Sequence, residues 1–308
     1  MRLFRKYKRG PLEISDSASV VLNIVFIILS LSCLLPVLLV YITSFTAEKS
    51  IIKNGFSLFP EEWSLMAYKT MFDQSLSTII NSYKNTIILT VVGTFFGLLI
   101  MTMYAYAIAR KEFTFNRVLT FYAYFTMLFS GGLVASYIIN TNVYGLRDTI
   151  WVLLLPGMAG AYNIIVLRTF FSNAGTESLI EAAKIDGAGE FRIYYQIILP
   201  ISKPALATIG LFLSISYFSS WFNVLMYIDD RNLWTIQYML QRTMREIQTL
   251  INDPDFAASE EGMLILLDLP NESAKMALTV LSMTPVLLFY PYFQKYFIKG
   301  LTLGAVKG

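Results

Sequence analysis

Histidine is absent from this 308-residue chain, and cysteine occurs once, at Cys33 inside an apolar run. A single cysteine cannot build a disulfide framework. No set of Cys, Asp and Glu has the spacing of a metal site. Charge is scarce as well: 15 % of residues are charged, against roughly 25 % in ordinary soluble proteins. That shortage excludes a disordered chain, a nucleic-acid-binding tail protein and a soluble enzyme. No G-x-x-x-x-G-K-[ST] loop is present, so the chain has no Walker-type ATP site of its own. In place of charge stands hydrophobic sequence, 56 % of residues, with a mean hydropathy of +0.57.

The apolar residues are gathered into runs. Six of them approach or exceed the roughly 20 residues that a helix needs to cross a bilayer: 20–44, 85–109, 118–139, 149–167, 204–228 and 276–294. None contains Asp, Glu, Lys or Arg. The first is too long for a signal-peptide core and lacks a small-x-small cleavage site, so it reads as an uncleaved anchor. The expected fold is an all-α integral membrane protein of six transmembrane helices, one domain over 1–308. Basic residues set the orientation. With the N-terminus inside, 15 of the 24 basic and 7 of the 21 acidic residues fall on the inner side. Both termini are therefore expected in the cytoplasm. Charge-free spans argue against a proton- or sodium-driven transporter, which places ionisable groups within the membrane. Backbone carbonyls and hydroxyls could still hold sodium. For a membrane enzyme, Arg147-Asp148 and Glu260-Glu261 are the only outer candidates, and Asp229-Asp230 reads as a solvated helix end.

Between the spans lie an inner N-terminal tail (1–19), an outer loop (45–84), an inner loop (168–203), an outer loop (229–275) and an inner C-terminal tail (295–308). Ser64 can cap a surface helix within 45–84. The 229–275 loop is acidic, holds Trp234, Tyr238 and a Pro270-Asn271 turn, and suits either a solvated cap or a docking surface for an external protein. Gly93, Gly97, Gly131, Gly132, Gly157 and Gly160 are small positions that let helices approach closely in lipid. Pro36, Pro156 and Pro285 are expected to kink or break their helices.

The inner loop has a pattern of its own. Ser178-x-x-Glu181 is a capping-box sequence, Ala182 and Ala183 keep one helix face thin, and Gly187 after Asp186 stands where a left-handed cap ends a helix. A second short element, 190–198, presents Phe191, Tyr194 and Tyr195. Pro200 and Pro204 then divide it from the fifth span. On pattern alone this is either a docking element or an amphipathic connector on the lipid headgroups.

The spelling goes further. Glu181, Ala182, Ala183, Gly187, Ile197, Leu199 and Pro200 together match the EAA motif of ATP-binding-cassette importer permeases. Residues 81–86, Asn-Ser-Tyr-Lys-Asn-Thr, resemble the start of the conserved core in the carbohydrate-importing branch. Residues 300–308 resemble the tail of maltose-type permeases, with permeases for complex oligosaccharides most similar. In relatives a proline often precedes the motif helix, and here Asn173-Ala174-Gly175-Thr176 stands in its place, leaving the helix start open.

The resemblance implies a type I importer permease in a bacterial cytoplasmic membrane, without catalysis of its own. It implies a second homologous permease, an extracellular or periplasmic sugar-binding protein, and two ATPase subunits that hold the ATP and Mg. Membrane lipid surrounds such a chain, and no nucleic acid is involved. It gives Glu181, Ala182, Ala183, Asp186, Gly187, Phe191, Tyr194 and Pro200 to ATPase coupling. Lys299, Gly300, Gly304 and Lys307 belong to a glycine-loosened tail touching the ATPase pair. Ser214, Tyr217, Phe218 and Trp221, at i, i+3, i+4 and i+7, would share a face of the fifth span. Tyr217 and Trp221 there offer flat surfaces suited to sugar rings, unless they pack against helices or join an aromatic belt. The rivals are a permease for a peptide or lipid-linked glycan, and a scaffold subunit that transports nothing.

Overall fold

The computed structural model describes residues 15–252 and 271–305. Their regular elements are all helices, and their one β contact is an antiparallel bridge between Thr46 and Trp63. Among the described residues, three helices are long and apolar enough to cross a membrane, and up to six spans result if each of three bent helix pairs counts as one. The chain divides into two compact units.

The smaller unit takes the chain up to Thr70 and the stretch ending at Val280. Helix α1 (Asp16–Ser44) is capped by Ser15, whose hydroxyl accepts from the Ala18 N–H at 3.3 Å. Its Val, Leu, Ile and Phe side chains face outward along its length, as lipid or a partner requires, and Pro36 sits inside it without ending it. After the Thr46–Trp63 bridge, Phe45 stacks on Tyr68 at 5.0 Å and the Tyr68 hydroxyl donates to Ser44 at 2.9 Å. Glu48 opens the short α2 (Glu48–Asn54). Its carboxylate accepts from the backbone N–H groups of Glu272 and Ser273 at 2.9 and 3.0 Å. Those donors open the last helix, Asn271–Ala305, where unpaired N–H groups and the dipole favour an anion.

Helix α3 (Met66–Ala109) begins beside Ser64, whose hydroxyl accepts from the Met66 N–H at 3.1 Å. The surface helix expected after Ser64 therefore starts in place, but it does not stop. It is the first part of a 44-residue helix that includes the second expected span. No glycine or proline interrupts the sequence before Gly93, so nothing ends it earlier.

The larger unit holds the rest of α3 and everything to α13 (Ile236–Asn252), with the latter part of the last helix, α14 (Asn271–Ala305). Its spans are broken. Helix α4 (Asn116–Leu128) turns through 115° into α5 (Gly132–Ile138), which a π-turn extends to Val143; Gly132 has φ +78° at the corner. Helix α6 (Ile150–Leu154) passes through a 3-10 turn at Pro156 and bends by 41° into α7 (Ala161–Phe171). The expected fifth span ends early: α11 (Lys203–Phe218) stops at Ser219, and α12 (Trp221–Tyr227) starts afresh.

Apolar side chains gain little by leaving lipid for each other, so close packing and hydrogen bonds must hold these helices together. Both are visible. A Cβ on Gly93 would lie 2.5 Å from the Tyr217 ring, and one on Gly157 would lie 2.8 Å from its hydroxyl. These glycines make the slot in which Tyr217 donates to the Leu154 carbonyl at 2.8 Å. Thr94 and Ser214 hydroxyls meet at 3.1 Å. Within the 81–86 stretch, Asn85 donates to the carbonyls of Asn232 and Trp234 at 2.6 and 3.1 Å. The Thr86 hydroxyl accepts from the Ile236 N–H at 3.0 Å, fixing the start of α13.

Candidate functional site

The inner-loop motif lies on α8 (Ala174–Ile185), α9 (Glu190–Ile193) and the turn between them. Asn173 is extended, with φ −70° and ψ 144°, and its carbonyl accepts from Thr176 and Glu177 at 2.8 and 3.1 Å. The helix thus starts ahead of Ser178. Ser178 lies inside it, donating to the Gly175 carbonyl at 3.2 Å, and the expected capping box with Glu181 is not made.

The other end agrees with expectation. Gly187 has φ +76°, its N–H donates to Lys184 at 3.0 Å, and Ala188 N–H donates to Ala183 at 2.9 Å. This is a complete Schellman cap, which stops a helix sharply and favours glycine. After Gly189, α9 runs through a π-turn (Tyr194–Ile198) into α10 (Leu199–Ile201). Pro200 does not end this element, because the wider π-turn just before it accommodates the missing N–H. The break comes at Ser202, where the chain bends by 79° into α11.

The motif divides into two faces. Thr176, Ile180 and Ala183 are buried at i, i+4 and i+7, as are Ile193, Tyr194 and Ile198. Tyr194 meets the Thr102 hydroxyl at 2.8 Å, with its ring 5.3 Å from Tyr106. Glu181, Ala182, Asp186 and Gly187 face outward. So do Ile185, 87 % exposed, and Phe191, 76 % exposed. Of the proposed coupling residues, Ala183 and Tyr194 therefore hold the element in place, and the others form its open surface.

Sequence reading missed the brace behind it. The Tyr106 hydroxyl donates to the Glu190 carboxylate. Glu190 pairs with Lys184 at 3.0 Å, and Lys184 also pairs with Glu112. Lys111 pairs with Glu177 at 2.9 Å. The 110–112 link is itself held: Asn116 donates to the Ile108 and Arg110 carbonyls at 2.8 and 2.6 Å, and Arg168 donates to Ile108 at 3.2 Å. The Lys111 hydrogen bond lowers the Glu177 carboxyl below its usual range, and hydrogen bonds to Glu112 and Glu190 raise the Lys184 ammonium above its own. One signal was available: Lys111-Glu112 complements Glu177, Lys184 and Glu190 in sign.

The other predicted residues fare differently. Ser214 donates to Gly210 at 2.7 Å, while Tyr217 and Phe218 are buried in packing. The break at 219–220 puts Trp221 on a new helix, so the four do not share a face. Trp221 instead borders a cavity of about 570 Å³ between α12 and α13, with Tyr238, Gln241, Arg242, Arg245 and Glu246. Lys299, Gly300 and Gly304 belong to α14, which continues to Ala305 where a loose tail was expected. Lys307 lies outside the described residues, as do Glu260, Glu261 and Pro270.

The family model for the inner membrane component of binding-protein-dependent transport systems matches residues 104–303, from the braced end of α3 through the whole EAA loop. The chain belongs to this family. This inner membrane component is 36 % identical over 279 residues to the polygalacturonan/rhamnogalacturonan transport system permease protein YtcP of Bacillus subtilis (strain 168), covering 91 % of this chain and 94 % of the relative. It is 34 % identical over 275 residues to protein LplC of the same organism, covering 89 % and 90 %. Its fold matches a chain from the crystal structure of a bacterial ABC transporter involved in the import of the acidic polysaccharide alginate. The TM-score is 0.76 at 29 % identity, over 92 % of this chain and 99 % of that one. The inner membrane component is a multi-pass membrane protein and an importer permease of the ATP-binding-cassette class.

Proposed function

We propose that this chain forms half of the membrane pathway of an ATP-driven bacterial importer of oligosaccharides, and that the α8–α9 element transmits ATPase motion to it. A second, similar permease would complete the pathway. Two ATPase subunits would sit on the inner side, and a sugar-binding protein would deliver substrate outside. The Lys and Arg bias supports both termini in the cytoplasm, which puts the EAA loop on the ATPase side. The sugar class is supported by the YtcP similarity over nearly the whole chain.

The observation that carries the coupling reading is a rigid element with an open apolar face. Ile185 projects from the end of α8, which a Schellman cap stops, and Phe191 from α9 just beyond the turn, and a set of ion pairs braces the two. An apolar surface held rigidly at the edge of a bundle suits a cleft in a moving partner. ATP binding would close the ATPase pair, push this element, and shift the bundle between outward- and inward-facing states. The α14 end, with Lys299, Gly300 and Gly304, would add a second contact to the ATPase pair.

The test is Gly187→Val in the full complex. A β-branched residue at φ +76° is strained by roughly 1–2 kcal/mol or more. It should leave the permease inserted while the ATPase is lost on co-purification and uptake fails. Wild-type uptake by Gly187→Val would reduce the loop to a connector.

A further inference from the structure

The cavity between α12 and α13 takes no part in the coupling element. Lys203–Phe218, a 16-residue helix of about 24 Å by its rise per residue, separates it along the chain from the EAA loop. Its volume of about 570 Å³ lies in the range of small-molecule sites. Trp221 and Tyr238 give it aromatic walls, and Leu225 adds apolar surface. Gln241 supplies an amide with both donor and acceptor.

The charges are unequal. Arg242 is held in place, its Nε donating to Glu246 at 2.7 Å and its guanidinium 4.5 Å from the Trp234 ring. Glu246 is thereby neutralised. Arg245 lies 6.0 Å from the Trp221 ring and has no carboxylate partner among the described residues. Among the described residues, the lining therefore carries one guanidinium without a carboxylate partner, beside an indole face.

We infer that this cavity is a subsite for a sugar unit that bears a carboxylate, a uronic acid residue within the transported oligosaccharide. The inference rests on the oligosaccharide-importer reading and narrows its substrate class. A pyranose ring has an apolar face that stacks on an indole and an equatorial edge of hydroxyls that an amide can satisfy. A guanidinium binds a carboxylate through two parallel N–H donors, so it both attracts and orients an acidic ring. The carboxylate of Glu246 does not oppose this, because Arg242 already faces it. A neutral sugar would stack on Trp221 equally well but leave Arg245 without its partner, and the acid is favoured by that difference.

The test uses the assembled complex of two permeases and two ATPases in nanodiscs. Trigalacturonate and its fully methyl-esterified form are titrated against tryptophan fluorescence. The wild type should bind the acid about tenfold more tightly than the ester. Arg245→Gln should bring the acid down to the ester's affinity without changing the ester, Arg245→Lys should fall between, and Trp221→Ala should weaken both. The exposed position of Arg245 leaves the fold intact, and ATPase co-purification checks it. Equal binding of acid and ester by the wild type overturns the subsite, as does an acid preference that survives Arg245→Gln. In both cases binding of the trisaccharides leaves the importer reading standing. If the complex binds neither trisaccharide, the subsite fails; if it also takes up no oligosaccharide in vesicles supplied with the sugar-binding protein, the importer reading fails with it.

Discussion

In the 174–201 segment, Ile185 and Phe191 are turned outward, while buried Ile180, Ile193 and Ile198, a tyrosine and charged groups hold the element from behind. Between Ser214 and Thr249 the arrangement is reversed. Tyr217 and Phe218 are sunk into helix packing, and the polar groups Arg242, Arg245 and Gln241 line an open cavity. The first region is rigid so that its outward face can be pushed. The second is shaped by what its break exposes. Aromatic side chains thus do two jobs. Tyr194 and Tyr217 each anchor through a hydrogen bond, to Thr102 and to the Leu154 carbonyl. Phe191 and Trp221 remain available to something else.

The sharpest way to break the contrast is to place a charge on each face of α8. Ile185→Asp lies on an open position and should spare the fold while cutting co-purified ATPase by about tenfold, the equivalent of 1.4 kcal/mol. Ile180→Asp, fully buried, should abolish the folded permease altogether. Similar behaviour of the two variants in a membrane-insertion and co-purification assay would show that the faces are not distinct.

The Tyr217 slot gives the next effect. Gly93→Ala puts a methyl group into the Tyr217 ring and should cost about 1–3 kcal/mol of stability, the usual cost of overpacking. Tyr217→Leu in the same chain should recover most of that loss in a thermal unfolding assay. No recovery would mean that the glycine serves another contact. A smaller effect is expected of Tyr194→Phe, which removes the hydroxyl pair with Thr102. Interhelical hydrogen bonds in membranes contribute about 0.6–2 kcal/mol, so ATPase stimulation should weaken with insertion unchanged.

The smallest effect comes from the exposed brace. Lys111 lowers the Glu177 pKa, so this pair contributes above the usual glutamate range and its contribution is lost as pH falls through the folded value. Glu177→Gln should therefore melt slightly below the wild type at pH 7, and the gap should close in acid. A gap that persists at low pH would assign Glu177 a role other than its charge.

Much of this was legible in the sequence, for identifiable reasons. The six apolar runs follow from bilayer thickness, and the cap at Gly187 follows from the steric freedom of one residue. The EAA spelling then located the loop before any geometry was known. Helix breaks were harder. Ser219-Ser220 carries no proline or glycine, so a face drawn through 214–221 looked continuous. The start of α8 was misplaced because Ser178 and Glu181 satisfy the capping pattern while Asn173 already sits in extended backbone. The brace was hidden because Tyr106, Lys111, Glu112, Lys184 and Glu190 meet only after α3 and α8 are packed. Nothing local records such a meeting, and the same holds for Arg245 and Trp221 across α12 and α13.

The central claim is that the outward face of α8–α9 is covered by the ATPase. Cys33 is the only cysteine, so a Cys33→Ser chain can carry single cysteines at Ile185, Phe191 and Thr249. Maleimide labelling of each, in the permease pair with and without its ATPases, measures the cover directly. Ile185 and Phe191 should label freely in the permease alone and be protected about tenfold or more when the ATPases are bound, with Thr249 unchanged. Equal labelling of Ile185 and Phe191 in the two preparations would contradict the account.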